Sequence, residues 1–318
     1  MREKLKCVVI GATGMVGQRF LTLLENHPYF EVAGVAASAR SAGRTYEEAV
    51  GGRWKMKTPI PEAVRSMTVF DAAEVEEVGK IADFVFCAVD MKKEEILALE
   101  ERYAKAEIPV ISNNSANRWQ SDVPMLTPLR KYGLREVLVT TYQAISGAGK
   151  TFDTWPEMTD NVIPYIGGEE EKSEREPLKI WGDVRNGVIV PTKTPLVTSQ
   201  CIRVPVSDGH TAAVFMSFDN TPPKETILAE WKSFRGLPQM LDLPSAPKQF
   251  ITYFEEENRP QTRLDRDLWG GMGVSCGRLR PDTMFDYKFV GLSHNTLRGA
   301  AGGGVLIAEL LYRQGYLN

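Results

Sequence analysis

The chain has 318 residues, of which 43% are hydrophobic and 25% charged, the composition of a globular protein long enough for two domains. Its net charge of −3 and the lack of a long basic run argue against nucleic acid as a partner. Four widely spaced cysteines and three histidines give no metal-ligand pattern, and reduced thiols of this kind fit a cytoplasmic protein.

The two ends of the chain give no sign of a secretory or membrane segment. The opening residues, MREKLKCVVIG, lack the apolar stretch and cleavage site of a signal peptide. The most apolar run near the other end, GGGVLIAELLY, is shorter than a bilayer span and contains Glu309. We therefore expect no contact with the membrane.

Strands and helices alternate in the first part of the chain. The run LKCVVI is continuously apolar, as in a strand buried on both faces, and MVGQRFLTLLENH has apolar residues at helical spacing. Further strands are predicted for FEVAGVAAS, ADFVFCAVD and IPVISNN, with the helix KKEEILALEERYAKAE before the last of them. This alternation predicts an α/β fold with a Rossmann-like, doubly wound parallel sheet. We assign to it residues 1–126, completed by a C-terminal helix over residues 294–318.

The rest of the chain, residues 127–293, has a different character. Longer stretches are predicted to be extended: REVLVTTYQAIS, QCIRVPVSDGHTAAVFMSFDN, GVSCGRLRP and MFDYKFVGLSH. Two predicted helices, EEEKSEREPLKIWG and PKETILAEWKSFRG, are interspersed with them. This pattern predicts an α+β domain with a mostly antiparallel sheet.

A glycine-rich turn, GATGMVG, joins the first predicted strand to the first predicted helix. Gly11, Gly14 and Gly17 follow the spacing GxxGxxG. Glycine lets backbone amides approach a pyrophosphate, and the helix N-terminus adds partial positive charge. A plain tight turn is the alternative, but the strand–turn–helix context favours a dinucleotide site.

The end of the second predicted strand indicates which dinucleotide binds. NAD sites usually have Asp or Glu there to hold the ribose hydroxyls. This chain has AASARSAGRTY, in which Ser38, Arg40 and Ser41 offer hydroxyls and a guanidinium suited to a 2′-phosphate. We therefore predict NADP; the alternative is that Arg40 is a solvated loop residue.

Acid–base chemistry is indicated most strongly in RVPVSDGH. His210 follows Asp-Gly at a predicted turn, and Arg203, seven residues earlier, is suited to a carboxylate. A lone histidine is more often structural than catalytic, so the pairing with arginine carries the argument. In EEEK, Glu169 and Lys172 are three residues apart and share a helix face, although alone they would indicate a solvated charge run.

Three further stretches place polar residues beside predicted turns. SNNSANRW gives Arg118 just after a strand's C-terminal end, where open α/β sheets bind ligands. YQAISGAGK contributes Gln143 next to a glycine-rich segment that is either a plain turn or a ligand loop. HNTLRGAAGGG places Asn295 before a helix whose glycines allow close approach of another backbone.

These stretches together resemble aspartate-semialdehyde dehydrogenases of the branch found in archaea, fungi and some bacteria. The matching motifs run nearly end to end: GATGMVGQRF, SNNSANRW, DVPM, TYQAISGAG, DNVIPYIGGEEEK, RVPVSDGH and HNTLRGAAGGG. The resemblance implies NADPH-dependent reductive dephosphorylation of L-aspartyl 4-phosphate to L-aspartate 4-semialdehyde, on the route to lysine, threonine and methionine. In that family a cysteine thiolate forms a thioester that then accepts hydride. A homodimer or homotetramer is also implied, with its interface on the second domain's sheet.

The resemblance implies roles for the residues that would hold the substrate. Arg203 corresponds to the clamp on the substrate α-carboxylate, and Glu169 to the partner of its amino group. Arg118 and Lys172 correspond to the phosphate-binding pair.

The same resemblance assigns the acid–base and cofactor residues. His210 corresponds to the acid/base partner of the cysteine, and Gln143 to the residue that orients the acyl group. Asn295 corresponds to a contact to the nicotinamide amide. The implied NADP cradle comprises residues of the glycine turn and of the segment after the second strand: Gly11, Thr13, Gly14, Met15, Val16, Ser38, Arg40 and Ser41.

One motif of the family is missing. Its nucleophile is expected in an Asn-Cys-Ser/Thr sequence after DVPM, but here DVPM runs directly into LTPLRKYG. We infer an internal deletion that removes the last strand of the nucleotide domain and the helix N-terminus that lowers the thiol pKa. The segment SDVPMLTPLRKYG can form a turn and a short helix at PLRKYG, but not also a strand with a reactive cysteine.

The cysteines that are present do not replace the missing one. Cys7, Cys87 and Cys276 lie in predicted strands and are expected to be inert core residues. Cys201 is nearest in sequence to His210, but nine residues of strand span up to ~30 Å and would put the two side chains on opposite faces. We therefore name no nucleophile.

Three functional hypotheses stay open. The first is an aspartate-semialdehyde dehydrogenase with an internally truncated chain. The second is a non-catalytic NADP-binding subunit that pairs with an intact homologue. The third is a related enzyme, such as N-acetylglutamyl-phosphate reductase or malonyl-CoA reductase. EEEK and Arg203 favour aspartyl over N-acetylglutamyl phosphate, and the pair Arg118 and Lys172 weighs against a CoA thioester.

Overall fold

The computed structural model describes residues 3–116 and 133–317. Internal contacts divide the chain into two compact units. The first comprises Met1–Asn117, Leu241–Ala246 and Gly299–Asn318, and the second Arg118–Met240 and Pro247–Arg298. The first unit therefore takes its residues from three separate stretches of the chain.

Strands and helices alternate in the first unit, whereas strands dominate the second. Within the described residues the strands are β1 (Leu5–Ile10), β2 (Phe30–Ala37), β3 (Val69–Asp71), β4 (Phe84–Cys87), β5 (Val110–Ser112), β6 (Leu134–Gln143), β7 (Asp183–Arg185), β8 (Val188–Val190), β9 (Leu196–Arg203), β10 (His210–Phe218), β11 (Ile251–Phe254), β12 (Val274–Pro281) and β13 (Tyr287–Ser293). The α-helices of the same residues are α1 (Met15–Leu24), α2 (Tyr46–Val50), α3 (Glu62–Arg65), α4 (Val75–Gly79), α5 (Lys93–Lys105), α6 (Glu169–Ile180), α7 (Lys224–Ser233), α8 (Leu237–Met240), α9 (Thr262–Asp265) and α10 (Gly302–Arg313).

Five strands of the first unit form one sheet in the order β3-β2-β1-β4-β5, and each neighbouring pair is parallel. The predicted parallel sheet is confirmed. β1 is apolar from Cys7 to Ile10 because both faces of this part are covered: Cys7 and Val9 lie in one buried cluster, Val8 and Ile10 in another. β3 is not among the predicted strands, since three residues are too few to show a strand pattern.

Six strands of the second unit form a mixed sheet in the order β11-β12-β13-β10-β6-β9. The three central pairings are antiparallel, whereas β11–β12 and β6–β9, at the two ends, are parallel. β7 and β8 form a separate antiparallel pair. The predicted α+β unit with a mostly antiparallel sheet is confirmed.

The long extended stretch that contains RVPVSDGH is divided into two strands. β9 ends at Arg203 and β10 begins at His210, with β6 between them in the sheet. The register pairs Cys201 with Thr141, and Thr141 with Ala212. Cys201 and His210 therefore share one face of the sheet, because paired residues and residues two apart lie on the same face. The expectation that they lie far apart on opposite faces is wrong, since the chain turns back after Arg203.

The last helix is shorter than predicted. The prediction covers residues 294–318, but α10 is limited to Gly302–Arg313. It follows a π-type turn, Leu297–Ala301, in which Ala300 has non-helical angles (φ −142°, ψ −109°). Among the residues that the structure describes, no helix is long and apolar enough to cross a membrane.

α10 contributes a buried acid to the first unit. The Glu309 carboxylate is fully buried and accepts hydrogen bonds from His27 Nε2 (2.9 Å) and Ser245 Oγ (2.5 Å). The backbone N–H groups of Tyr29 and Phe30 donate to His27 Nδ1 at 3.2 Å, which places the ring proton of neutral His27 on Nε2. This buried cluster joins α10 and the segment Leu241–Ala246 to the residues before β2.

Candidate active site

The turn between β1 and α1 admits only glycine at two positions. Gly11 has φ +81°, and a Cβ there would lie 2.3 Å from the carbonyl oxygen of Ala88. A Cβ at Gly17 would lie 2.2 Å from the carbonyl oxygen of Gly11. The backbone of the turn therefore packs directly against the segment that follows β4 and against the first turn of α1, with no room for side chains at these two positions.

The N-terminus of α1 is suited to an anion. Its N-cap residue, Gly14, has no side chain that could accept hydrogen bonds from the first N–H groups of the helix. Gly14 is exposed, and Thr13, Met15 and Val16 are partly exposed. Open backbone donors together with the helix dipole fit the pyrophosphate of a dinucleotide.

The segment after β2 carries hydroxyls and one cation. Ser38 and Arg40 are exposed, whereas Ser41 is buried and its backbone N–H donates to the Ser38 carbonyl oxygen at 2.8 Å. Among the described residues, no carboxylate forms an ion pair with Arg40. This donor set fits a phosphate and offers no acid for a ribose hydroxyl.

A buried acid also lies at the carboxyl ends of β4 and β5. Glu100, on α5, is buried and accepts hydrogen bonds from Ser112 Oγ (2.5 Å) and Asn114 Nδ2 (2.9 Å). Asn114 Nδ2 also lies 3.3 Å from Cys87 Sγ. This cluster holds the SNN segment at the edge of the sheet where open α/β folds bind ligands.

The imidazole of His210, at the start of β10, has one defined tautomer. The backbone N–H of Ala144 donates to His210 Nδ1 at 3.1 Å. A ring nitrogen that accepts a hydrogen bond carries no proton, so the proton of the neutral ring is on Nε2. Burial, and then the positive charge of Arg203, lowers the pKa of His210 from 6.5 to about 4. Near pH 7 this side chain is therefore neutral and offers an N–H donor at Nε2.

Ala144 also holds the Arg203 side chain. Arg203 Nη1 donates to the Ala144 carbonyl oxygen at 2.6 Å, and the side chain is buried. A Cβ at Gly147 would lie 2.9 Å from Arg203 Nη1 and 3.3 Å from His210 Nε2. The guanidinium and the imidazole thus border the same glycine-lined space. Burial lowers the pKa of Arg203, and the Glu169 charge opposes that shift.

The N-terminus of α6 adds an acid, a base and an amide contact. Lys172 Nζ donates to Glu169 Oε1 at 2.6 Å, and Gln143 Nε2 lies 3.5 Å from Glu169 Oε2 and 3.2 Å from Thr141 Oγ1. Burial raises the pKa of Glu169, but the hydrogen bond and charge of Lys172 outweigh it and leave the pKa below its ordinary value. Glu169 is therefore an anion near neutral pH.

Asn295 connects two segments of the second unit. Its Oδ1 accepts a hydrogen bond from the backbone N–H of Gly209 at 2.8 Å, and its Nδ2 donates to Ser146 Oγ at 2.9 Å. The carboxamide therefore holds the residue just before His210.

All four cysteines of the chain are buried. Burial raises the pKa of Cys87 and of Cys276 to about 12, and it also raises the pKa of Cys7. Cys201 packs against α6, with its Sγ 3.7 Å from Ser173 Oγ. None of these thiols has the accessible surroundings of a reactive cysteine.

Two family models together match nearly the whole chain. The model described as semialdehyde dehydrogenase, NAD binding domain, matches residues 6–131. The model described as semialdehyde dehydrogenase, dimerisation domain, matches residues 126–298. The glycine turn thus lies in the first matched region, and the cluster around His210 in the second.

Individual relatives show which semialdehyde dehydrogenases the chain is similar to. The aspartate-semialdehyde dehydrogenase of Methanothermobacter thermautotrophicus is 39% identical over 350 residues, which cover 95% of this chain and 97% of the relative. The chain belongs to the aspartate-semialdehyde dehydrogenase family. The enzyme of that name from Saccharomyces cerevisiae is 38% identical, covering 95% of this chain and 96% of the relative. The crystal structure of the Candida albicans family member with NADP has 34% identity and a TM-score of 0.87, covering 98% of this chain and 99% of that chain.

The second unit brings most of the predicted substrate and acid–base residues of this family member together. His210 and Arg203 meet at Gly147, and Gln143 lies beside the pair Glu169 and Lys172. Asn295 reaches the turn before His210. Arg118, with the junction at DVPM and the short helix predicted after it, lies outside the described residues.

Sequence reasoning missed the residues that hold this cluster in place. The backbone of Ala144 binds both His210 and Arg203, yet an alanine in a turn gives no signal of such a role. Arg266, whose Nη1 donates to the Asp208 carbonyl oxygen at 2.9 Å, likewise occurs in a stretch with no motif. The glycines of YQAISGAGK are the only hint in that segment, since close approach of backbone to side chains favours glycine.

Proposed function

We propose that the chain carries the cofactor and substrate sites of an aspartate-semialdehyde dehydrogenase. The reaction is the NADPH-dependent reductive dephosphorylation of L-aspartyl 4-phosphate to L-aspartate 4-semialdehyde, with release of phosphate. The observation that carries the proposal is the meeting of Arg203 and His210 at Gly147, in a chain of this family. A buried cation and a neutral imidazole on one small space suit an acidic, phosphorylated substrate.

The proposed roles follow from the chemistry of each side chain. Arg203 holds the substrate α-carboxylate by charge-assisted hydrogen bonds, and the Glu169 anion holds its amino group. Lys172, with Arg118, binds the phosphate. Gln143 orients the acyl group. His210 serves as the acid–base residue, and its Nε2–H is placed to donate a proton or a hydrogen bond.

We propose NADP as the dinucleotide. The glycine turn and the open N-terminus of α1 fit its pyrophosphate, and the proposed binding residues there are Gly11, Thr13, Gly14, Met15 and Val16. Ser38, Arg40 and Ser41 would hold the 2′-phosphate, and Asn295 the nicotinamide amide. The bound cofactor supplies hydride. The Candida albicans relative solved with NADP supports this choice.

We further propose that the chain lacks the family's nucleophile through an internal deletion. Alignments with relatives extend over 350 to 366 residues, although the chain has only 318, which supports the loss of a segment. The four buried thiols offer no substitute. We also propose that residues 1–126 with 294–318 bind the dinucleotide. Residues 127–293 then carry the catalytic residues and the contacts between subunits.

We propose a homodimer or homotetramer in the cytoplasm. The matched dimerisation domain supports self-association through the second unit. Four free cysteines fit a reducing compartment. The relatives named above carry the name aspartate-semialdehyde dehydrogenase, which favours aspartyl phosphate over N-acetylglutamyl phosphate or malonyl-CoA as the substrate class. Light scattering at micromolar concentration tests the assembly, and a monomer would contradict it.

The test of function separates binding from turnover. NADP is titrated into the purified chain, and phosphate-dependent NADP reduction is then assayed with aspartate semialdehyde, beside the Candida albicans enzyme. We expect NADP and the semialdehyde to bind, with turnover lower by several orders of magnitude, as when a nucleophile is removed. Failure to bind either ligand would refute the proposed sites, and turnover equal to that of the relative would refute the missing nucleophile. The N-acetylglutamyl and malonyl substrates serve as controls.

A further inference from the structure

The turn before His210 is held from several sides. It comprises residues 204–209, called here the histidine turn, and connects β9 to β10. The backbone N–H groups of Ile145 and Ser146 donate to the carbonyl oxygens of Val206 (2.9 Å) and Ser207 (3.2 Å). The first part of the turn is thereby fixed to the segment after β6.

The last peptide of the histidine turn has both polar atoms bound by side chains. Arg266 Nη1 donates to the Asp208 carbonyl oxygen at 2.9 Å, and the Gly209 N–H donates to Asn295 Oδ1 at 2.8 Å. The C=O and N–H of a planar trans peptide point in opposite directions, so the two side chains hold this peptide from both sides. Rotation of the peptide would break both bonds.

Arg266 also fixes the packing of the turn. Its Nη1 donates to Ser207 Oγ at 2.9 Å, and its side chain is only 17% exposed. Gly209 has φ +95°, and a Cβ there would lie 2.8 Å from Thr262 Cγ2 and 3.2 Å from Arg266 Cβ. The stem of Arg266 therefore fills the space beside Gly209, while its guanidinium binds the turn.

The orientation of this peptide determines where the imidazole lies. Turn types differ mainly in the orientation of such a peptide, and each sends the following residue in a different direction. His210 directly follows Gly209, and its Nδ1 must meet the Ala144 N–H at 3.1 Å. Hydrogen bonds tolerate only a few tenths of an ångström, so a rotated peptide would remove this contact.

We propose that Arg266 and Asn295 are positioning residues that clamp the Asp208–Gly209 peptide and thereby fix the ring of His210. The relevance to catalysis rests on the proposed role of His210, but the orientation and tautomer of the ring can be measured without turnover. Arginine suits the position because one planar guanidinium nitrogen reaches both Asp208 and Ser207, whereas lysine presents a flexible point charge.

The charged and titratable groups around His210 belong to other segments. Burial lowers the pKa of His210 most, and the charges of Arg203 and His294 lower it further, whereas a hydrogen bond with the Gly209 backbone and the charge of Glu169 raise it. Since none of these groups is changed when Arg266 is replaced, a change in the titration of His210 would report a change in its position.

The experiment uses histidine-selective ¹⁵N and ¹³C labelling of the full chain, whose three histidines are assigned with His27→Gln and His294→Gln. In the unchanged protein we expect His210 with its proton on Nε2 and titration near pH 4, as its surroundings dictate. Arg266→Met should give a mixture of tautomers and move the titration of His210 toward its ordinary value of about 6.5. Arg266→Lys should give an intermediate shift.

Arg263→Met is the matched control, because Arg263 is exposed on α9, the helix that ends just before Arg266, and should leave His210 unchanged. Circular dichroism and urea denaturation of the full chain report whether each variant is folded. A folded Arg266→Met protein with the native tautomer and titration of His210 would overturn the proposal. If that variant does not fold, Asn295→Ala removes the other half of the clamp, and an unchanged His210 there would be equally decisive. Loss of NADP binding alone would concern the proposed function and leave this result intact.

Discussion

The glycine turn of the first unit and the histidine turn of the second are held in place in different ways. Each follows a strand and contains or precedes residues proposed to bind a ligand. In the glycine turn the backbone itself is packed so closely that Gly11 and Gly17 have no room for a Cβ. In the histidine turn, side chains from other segments hold the backbone, through Arg266 and Asn295.

The difference predicts how each turn responds to mutation. A turn built from backbone contacts has no side chain to adjust, so one added methyl group should disrupt it entirely. A turn held by several hydrogen bonds should lose stability and precision in steps, since each bond contributes about 1 kcal/mol. Substitutions in the two units can test this contrast directly.

The largest effect is expected for Gly11→Ala. Its Cβ would lie 2.3 Å from the Ala88 carbonyl oxygen, at a φ of +81° that disfavours side chains. We expect NADP binding to be lost and the free energy of unfolding to fall by at least about 3 kcal/mol. Isothermal titration and urea denaturation measure the two quantities.

Gly315→Ala provides the control for Gly11. Gly315 has a similar φ of +79°, but a Cβ there would meet nothing within 4 Å. Only the backbone cost of about 1–2 kcal/mol should appear, with NADP affinity unchanged. Equal losses in the two variants would show that φ, and not close packing, governs the glycine turn.

His210 should make the stability of the second unit depend on pH. Its pKa of about 4 lies below the unfolded value of 6.5, so the unfolded state binds more protons between these values. Stability should therefore fall as the pH drops from about 6.5 to 4, by up to about 3 kcal/mol, and then stop changing on this account. Denaturation at a series of pH values measures the slope. His210→Gln should flatten the slope. If the slope stays unchanged in that variant, other titrating groups cause it.

Gly209→Ala should have a smaller effect than Gly11→Ala. The added Cβ would meet the end of a side chain, Thr262 Cγ2 at 2.8 Å, in addition to the cost of φ +95°. We expect a loss of about 2 kcal/mol in the free energy of unfolding.

Thr262→Ser tests the cause of that loss. It removes Cγ2 but keeps the hydroxyl that lies 2.9 Å from Thr211 Oγ1. Combined with Gly209→Ala, it should recover the steric part of the loss while the backbone cost stays. If the double variant is no more stable than Gly209→Ala alone, contact with Thr262 is not what disfavours a side chain at this position.

The sequence predicts the first unit better than the second for a physical reason. The burial of β1 and the geometry of the glycine turn depend on residues that are adjacent in sequence. The apolar run of β1 and the spacing of Gly11, Gly14 and Gly17 therefore reveal them. β3 is not predicted because three residues are too few to show the alternating pattern of a strand. α10 begins after the predicted start because the backbone at Ala300 has non-helical angles. No residue type in that stretch predicts this break.

The cluster around His210 depends on contacts that are distant in sequence. Glu169 and Lys172 could be predicted to meet, because three residues on a helix suffice for their 2.6 Å ion pair. The meeting of Gln143 with Arg203, by contrast, depends on the register of β6 against β9. Arg266 reaches the histidine turn from more than fifty residues away, so no local pattern could reveal it.

The smallest effect is expected for Arg40→Gln, which removes the cation from the three first-unit residues proposed to hold the 2′-phosphate. Arg40 is exposed and outside the packed part of the turn, so its loss should leave folding unchanged and weaken only the bond to a 2′-phosphate. Because solvent screens the pair, we expect NADP affinity to fall about tenfold and NAD affinity to stay constant. Titrating both dinucleotides against both proteins measures this. An equal loss for NAD would mean that Arg40 supports the loop itself, and the first unit would then, like the second, depend on side chains to shape its site.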